Sequence, residues 1–351
     1  MASMTRTRGT ALRRLTPEHL SPGCFAFVMA TGILSIGAAQ RGWDAPSAAL
    51  LVVAGVGYAL LVVLNAWRLV AYRRAYGKDF HDSSTAFLVF TFVAATDVLA
   101  ACLSGIGALA PAGVLLAVGA VSWLLLGYAV PWTAVLGRAE RPVTAHANGT
   151  WFIWVVAAQS VAVVAATLEP DVPGGRNALA MLAVFAWSIG IALYVAVAIL
   201  VVYRMLAFPL APEQFQPPYW VSMGAIAITI VAGSRIVEME STPMVDAVRG
   251  LVAGASVVLW CFATWLIPVL FAAGVWRHWL KGVPLRYSPT LWSIVFPLGM
   301  YAVAGMYLGR ADQLPIVARI GELWTWVALA AWAATSLAMV ASWASVLRSP
   351  R

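Results

Sequence analysis

Ten stretches of this chain are each long and apolar enough, or nearly so, to cross a lipid bilayer, and that constrains the fold more than any motif. Crossing a hydrocarbon core of about 30 Å takes roughly 20 mostly apolar residues in a helix. The stretches run from Cys24 to Ala39, Ser47 to Tyr72, Ser84 to Leu103, Ala112 to Leu136 and Gly149 to Leu168. They continue from Asn177 to Met205, Tyr219 to Val237, Ala247 to Trp276, Pro289 to Leu308 and Gly321 to Leu347. With 62% apolar and 10% charged residues, little else is left to build a water-soluble surface. The class is all-α integral membrane, because in lipid the backbone must satisfy its own hydrogen bonds.

Charge gives the topology. Sixteen Lys and Arg fall on the side of the N-terminus and the loops after even spans, and six fall on the other side. By the positive-inside rule both termini are expected in the cytoplasm of a multi-pass cell-membrane protein. Residues 1–21, with Arg6, Arg8, Arg13 and Arg14 but no apolar run, read as a cytoplasmic tail rather than a cleaved signal. Residues 22–347 form the transmembrane domain, and 348–351 a short cytoplasmic end. The basic balance is thus a topology signal, and nucleic acid is not an expected partner.

A repeat organises the spans. Odd spans open near Pro22, Ser84, Asn148, Tyr219 and Ser288, at separations of 62, 64, 71 and 69 residues. Each is followed by an even span ending in Trp, Tyr or Arg, read here as anchors in the headgroup region. The unit is a helical hairpin used five times. Odd spans carry polar or small residues at mid-membrane depth, which must face protein or water. Five odd helices around an axis would make a pore walled by the even ones.

Candidate pore-lining residues are Thr31, Thr96, Asp97, Gln159 and Ser234, each of which could instead bond across helices. Asp97 is the one acidic residue inside a span, at an insertion cost of about 2.5 to 3.5 kcal/mol. It reads as a proton-coupling site or as a group tied to Thr96 or a neighbouring helix. Arg235, three residues before Glu238, reads as a local ion pair or as an anion ligand in the external mouth.

Catalytic and cofactor signals are missing from the sequence. Cys24, Cys102 and Cys261 are scattered, without metal-ligand spacing, and His19, His81, His146 and His278 fall at helix flanks on the basic side. No metal or cofactor is expected. A membrane enzyme would need several of those histidines to converge with Asp79, Asp82 or Glu140.

The segment T-L-W-S-I-V-F-P-L-G-M-Y-A-V-A-G, Thr290 to Gly305, sets Pro297 in a span. Proline removes a backbone donor and clashes with the carbonyl four residues earlier, so a bend is expected near Ser293. Phe296 would then project toward the axis as an apolar constriction, or pack between helices.

Three segments carry a resemblance: P-G-C-F-A-F-V-M-A-T-G-I-L-S-I (Pro22 to Ile36), Y-W-V-S-M-G-A-I-A-I (Tyr219 to Ile228) and F-P-L-G-M-Y-A (Phe296 to Ala302). Together they resemble the tellurite-resistance/dicarboxylate transporter family, which includes plant guard-cell slow anion channels, fungal malate permeases and sulfite efflux pumps. The resemblance implies a pseudo-fivefold ring of hairpins around one pore per subunit, a homotrimer, and small anions as substrate. It also implies that Phe296, with Pro297, is the pore gate of the ninth helix. C4-dicarboxylates such as malate, sulfite and monovalent inorganic anions all remain open, as does a proton-coupled carrier using Asp97.

Overall fold

A computed structural model describes residues 16–137 and 142–348. The basic residues of the expected N-terminal tail, Arg138, Glu140 and the last three residues lie outside the described residues. Ten membrane-length helices are present among those described: α1 (Pro22–Gln40), α2 (Asp44–Ala71), α3 (Ala86–Gly105), α4 (Leu109–Leu136), α5 (Gly149–Asp171), α6 (Pro173–Ala207), α7 (Pro217–Val237), α8 (Pro243–Leu280), α9 (Pro289–Ala311) and α10 (Pro315–Ser345). The sixth, eighth and tenth begin four to six residues before the sequence-based starts. Each begins on a proline, which sequence reading takes as a breaker. At the first helical position proline's missing N–H costs nothing and its fixed φ suits the helix.

Odd and even helices differ in where they bury themselves. In the most apolar part of each odd helix 72 to 83% of residues are buried, against 6 to 33% in the even ones. The odd helices are therefore an inner set. They form a closed ring, α1 packing on α3, α3 on α5, α5 on α7, α7 on α9, and α9 back on α1. Each even helix packs on its own hairpin partner and on the inner helix of the next hairpin, with α10 returning to α1. The outward faces, such as Val52, Val56, Leu60 and Val63 of α2, expose apolar side chains suited to lipid.

Polar bonds repeat around this ring. The outer helix of one hairpin bonds to the inner helix of the next through Tyr58 and Thr96 at 2.8 Å, and through Trp187 Nε1 donating to the Thr229 carbonyl at 3.1 Å. Thr264 and Tyr301 do the same at 2.8 Å, and Trp332 Nε1 donates to Thr31 Oγ1 at 3.1 Å, so four of the five junctions carry such a bond. Each bond satisfies a polar group inside a span without water.

A second repeated device ties the hairpin ends together on the basic face. Arg68, near the end of α2, donates through Nε to the Glu18 carbonyl, just before α1. Arg204 at the end of α6 donates to the Ala145 carbonyl before α5, and Arg277 near the end of α8 to the Phe215 carbonyl before α7. Sequence reading places these arginines at the lipid headgroups. The structure buries Arg68 and Arg204 as clamps instead, because a guanidinium satisfies carbonyls that the approach to a helix leaves open.

Candidate anion pathway

Two cavities lie on the ring axis. One, called outer because it lies on the face opposite the basic one, is about 340 Å³ and is lined by residues of all five inner helices, with Ile33, Asp97, Val98, Ser160, Ile228 and Met300 at its floor. The second, about 360 Å³, opens at the basic face where those helices begin, and includes Ser21, Ser84, Asn148, Tyr219 and Thr290. Lining by all five members of a closed ring puts both cavities in the position of a pathway.

Helical geometry identifies what separates them. Residues four apart share a helix face. One turn toward the basic face from the floor residues Ile33, Val98, Ser160, Ile228 and Met300 stand Met29, Ala94, Val156, Gly224 and Phe296. All five are buried, Phe296 to 1% exposure. On α9 the cavity-lining Met300, Val303 and Tyr307 continue the line from Phe296 at helical spacing. By this register Phe296 shares the face of α9 that lines the outer cavity, one turn nearer the basic face, and is the one aromatic among these five positions.

Pro297 is on another face of the same helix. A Cβ on Gly224 of α7 would lie 2.8 Å from Pro297 Cγ, so the glycine lets the ring of Pro297 approach. The helix runs unbroken from Trp292 to Ala311 through Pro297, preceded by a 3-10 turn at Pro289–Leu291. The other four inner helices open with the same 3-10 turn, so this one is a feature of the repeat and does not mark the bend expected from Pro297 near Ser293. Proline so early in a helix removes a hydrogen bond from its first turns only.

The polar candidates divide. Asp97 lines the outer cavity, and its Oδ2 accepts from Ser160 Oγ at 2.7 Å. Its Oδ1 is buried with no hydrogen-bond partner, against Gly119 of α4, where a Cβ would overlap it. Thr31 and Thr96 take the cross-helix alternative, bonded to Trp332 and Tyr58. Gln159 donates to the Trp187 carbonyl at 3.1 Å, toward its own outer helix. Ser234 is buried, and its hydroxyl has no partner.

Arg235 does two things at once. It pairs with Glu238 at 2.9 Å and also lines the outer cavity. Its guanidinium lies 5.0 Å from the ring of Tyr307, and Arg310 of the neighbouring α9 lies 5.1 Å from the same ring. Tyr307 thus holds two cations at the outer opening. Sequence reading missed Tyr307 and Arg310, although both lie on the register of Phe296.

The histidines do not converge. His81 and His278 place Nδ1 within 2.8 and 2.7 Å of backbone carbonyls, as helix-end caps, and among the four only His146 lines the basic-face cavity. Among the described residues no group of His, Cys, Asp and Glu is placed to hold a metal ion.

Comparison with known proteins agrees with this architecture. The sequence profile of the family described as voltage-dependent anion channel, SLAC1, matches residues 19–340. An uncharacterized membrane protein of Mycobacterium tuberculosis is 60% identical over 148 residues, which is 42% of this chain and 75% of the relative. An uncharacterized transporter of Methanocaldococcus jannaschii is 25% identical over 224 residues, covering 64% of this chain and 62% of its own. A second transporter from that organism is 25% identical over 218 residues, 62% of each chain. A profile that spans all ten helices leaves no doubt of kinship: the chain belongs to the SLAC1 voltage-dependent anion channel family, multi-pass membrane proteins that transport small anions rather than catalyse reactions.

Proposed function

We propose that anions cross each protomer along the axis of the five inner helices, with Phe296 as the gate between the outer and basic-face cavities. What supports this reading is a single aromatic among five buried positions one turn below the floor of the outer cavity, with a second cavity at the basic face. An apolar ring between two wet cavities closes a path by excluding water. Arg310 concentrates anions at the outer mouth, Arg235 being paired with Glu238, while the middle of the path has no Lys or Arg to trap them. That combination suits passage, since a conducting site must bind weakly enough to release.

The basic face is taken as cytoplasmic, which places both termini inside, and the transport domain as residues 22–347. Compact substrates fit this path: malate-like C4-dicarboxylates, sulfite, or monovalent inorganic anions. A trimer is proposed on family resemblance alone, the exposed apolar faces of the even helices providing surface for it. The test is anion flux in liposomes holding the purified protein, with chloride, nitrate, sulfite and malate compared. Flux through wild type that is unaltered by Phe296→Ala would return Phe296 to simple packing.

A second reading makes the protein a proton-coupled carrier. It rests on Asp97, a mid-membrane carboxyl at the cavity floor with one oxygen unpartnered. If Asp97 couples protons, an imposed proton gradient drives malate accumulation in wild type and not in Asp97→Asn. Equal accumulation in both would remove Asp97 from the mechanism.

A further inference from the structure

The arginine clamps differ from one repeat to another in a way that their shared structural task does not explain. Arg68 and Arg204 do the same work, each donating from Nε to a carbonyl just before an inner helix. In the first repeat the guanidinium also meets a carboxylate, Asp79, at 2.5 Å, so the clamp is neutral. In the third repeat it meets none among the described residues. Arg204 gives its remaining donors to the Phe208 carbonyl at 3.1 Å and to Gln214 Oε1 at 3.3 Å, both neutral acceptors.

Arg204 is 7% exposed, and yet it lines the basic-face cavity. A buried cation without a counter-ion is costly to maintain, and its field is poorly screened. Three further features point the same way. The N-terminal ends of all five inner helices surround this cavity, and helix N-termini carry partial positive charge. His146 lines it, with Nδ1 buried and without a hydrogen-bond partner. Among the described residues lining it, none is Asp or Glu.

We infer that the basic-face cavity is a loading site for a compact anion, an inorganic oxyanion or a C4-carboxylate, held by the uncompensated charge of Arg204 beside His146 and the converging helix ends. The inference rests on the transport reading and extends it by giving the pathway a second binding station opposite the Arg235–Arg310 mouth.

The test uses the internal comparison that the repeat offers. Gln214→Glu places a carboxylate where Arg204 already has a partner, so the clamp is retained and its charge is cancelled, as Asp79 does for Arg68. In planar bilayers, half-saturating nitrate and malate are measured from each face, with melting of the detergent-purified protein as a check on folding. The site predicts at least a fivefold rise in half-saturation from the basic face, no change from the other face, and a melting temperature that does not fall. Arg204→Gln should give the same one-sided shift.

Unchanged half-saturation from the basic face in a folded Gln214→Glu protein would overturn the site, as would an equal shift from both faces. Should wild type carry neither anion, transport of these two anions fails, and the site is judged separately by thermal shift. Malate or nitrate that stabilises wild type but not Gln214→Glu would still establish it, and equal stabilisation of both would refute it.

Discussion

Replacing Phe296 by alanine separates gating from packing because the two roles predict opposite pairs of results. Phe296 is 1% exposed, so as an ordinary core residue its truncation would cost about 3 to 5 kcal/mol through lost transfer energy and the void left behind. Against a typical net stability of about 5 to 15 kcal/mol, that is a large loss. The geometry argues for a smaller one. From Thr290, at the basic-face cavity, to Met300, at the floor of the outer cavity, α9 advances ten residues, about 15 Å. Phe296 lies within that closed section, about 6 Å below Met300. On the gate reading the space left by the ring opens toward the outer cavity one turn away, so water enters it and much of the cavity penalty is absent. The four other positions of the layer, Met29, Ala94, Val156 and Gly224, are smaller and do not replace the ring. The expected outcome is flux raised at least tenfold, a barrier lowered by about 1.4 kcal/mol or more, with melting shifted only slightly. Anion flux into liposomes and thermal melting of the same preparation measure both. Unchanged flux together with a stability loss of about 3 kcal/mol or more would refute the gate and restore the packing role.

Three further changes probe the surroundings of the path. Gly119→Ala should destabilise the protein by about 1 to 3 kcal/mol, as over-packing does, because its methyl would overlap Asp97 Oδ1; adding Asp97→Ala should relieve much of the loss in a melting experiment. Arg310→Gln should lower anion capture from the outer face by roughly tenfold at low salt, the lower end of electrostatic focusing, and the difference should shrink as ionic strength rises; equal flux at all salt concentrations would exclude Arg310 from the mouth. Burial pushes the Asp312 carboxyl, in the loop after α9, above its usual range. The folded state therefore holds that proton more tightly than the unfolded chain, and the group costs stability once pH rises through its folded pKa. Asp312→Asn should raise the melting temperature at pH 7, with the gain fading as pH falls below the ordinary carboxylate range.

The sequence makes the spans and their hairpin repeat legible because hydropathy and helix length are properties of each segment alone. The division into inner and outer helices was also visible, since polar groups such as Thr31, Thr96 and Asp97 accumulate where protein rather than lipid must surround them. Which way each polar group points was not. Thr31 and Thr96 turn to Trp332 and Tyr58 because a neighbouring helix satisfies a hydroxyl as well as water does. Gln159 does the same with the Trp187 carbonyl. In a helix that is apolar on every side, no periodicity marks the axial face. One signal did exist on α9: Arg310 and Tyr307 at its outer end fix a face, and stepping back through Val303 and Met300 reaches Phe296. The arginine clamps were misread for a different reason. An arginine at the end of an apolar run looks the same whether it reaches lipid headgroups or a buried carbonyl.

The pseudo-symmetry allows the proposed gate to be moved. If Phe296 is the gate, it closes the ring alone because the equivalent positions in the other four helices are smaller. Ala94 stands in the same layer as Phe296, one turn below Val98 on α3, and its side chain is fully buried. Introducing Ala94→Phe into the Phe296→Ala protein restores one ring to the layer from a different helix, with the total side-chain volume conserved. Volume-conserving exchanges within a packed layer cost little, so the double variant should fold and return flux to near the wild-type level. Ala94→Phe alone, with two rings competing for one axis, should instead be overpacked and destabilised by about 1 to 3 kcal/mol. A folded double variant that still conducts like Phe296→Ala would show that closure depends on the particular setting of Phe296 beside Pro297, and not on filling the axial layer.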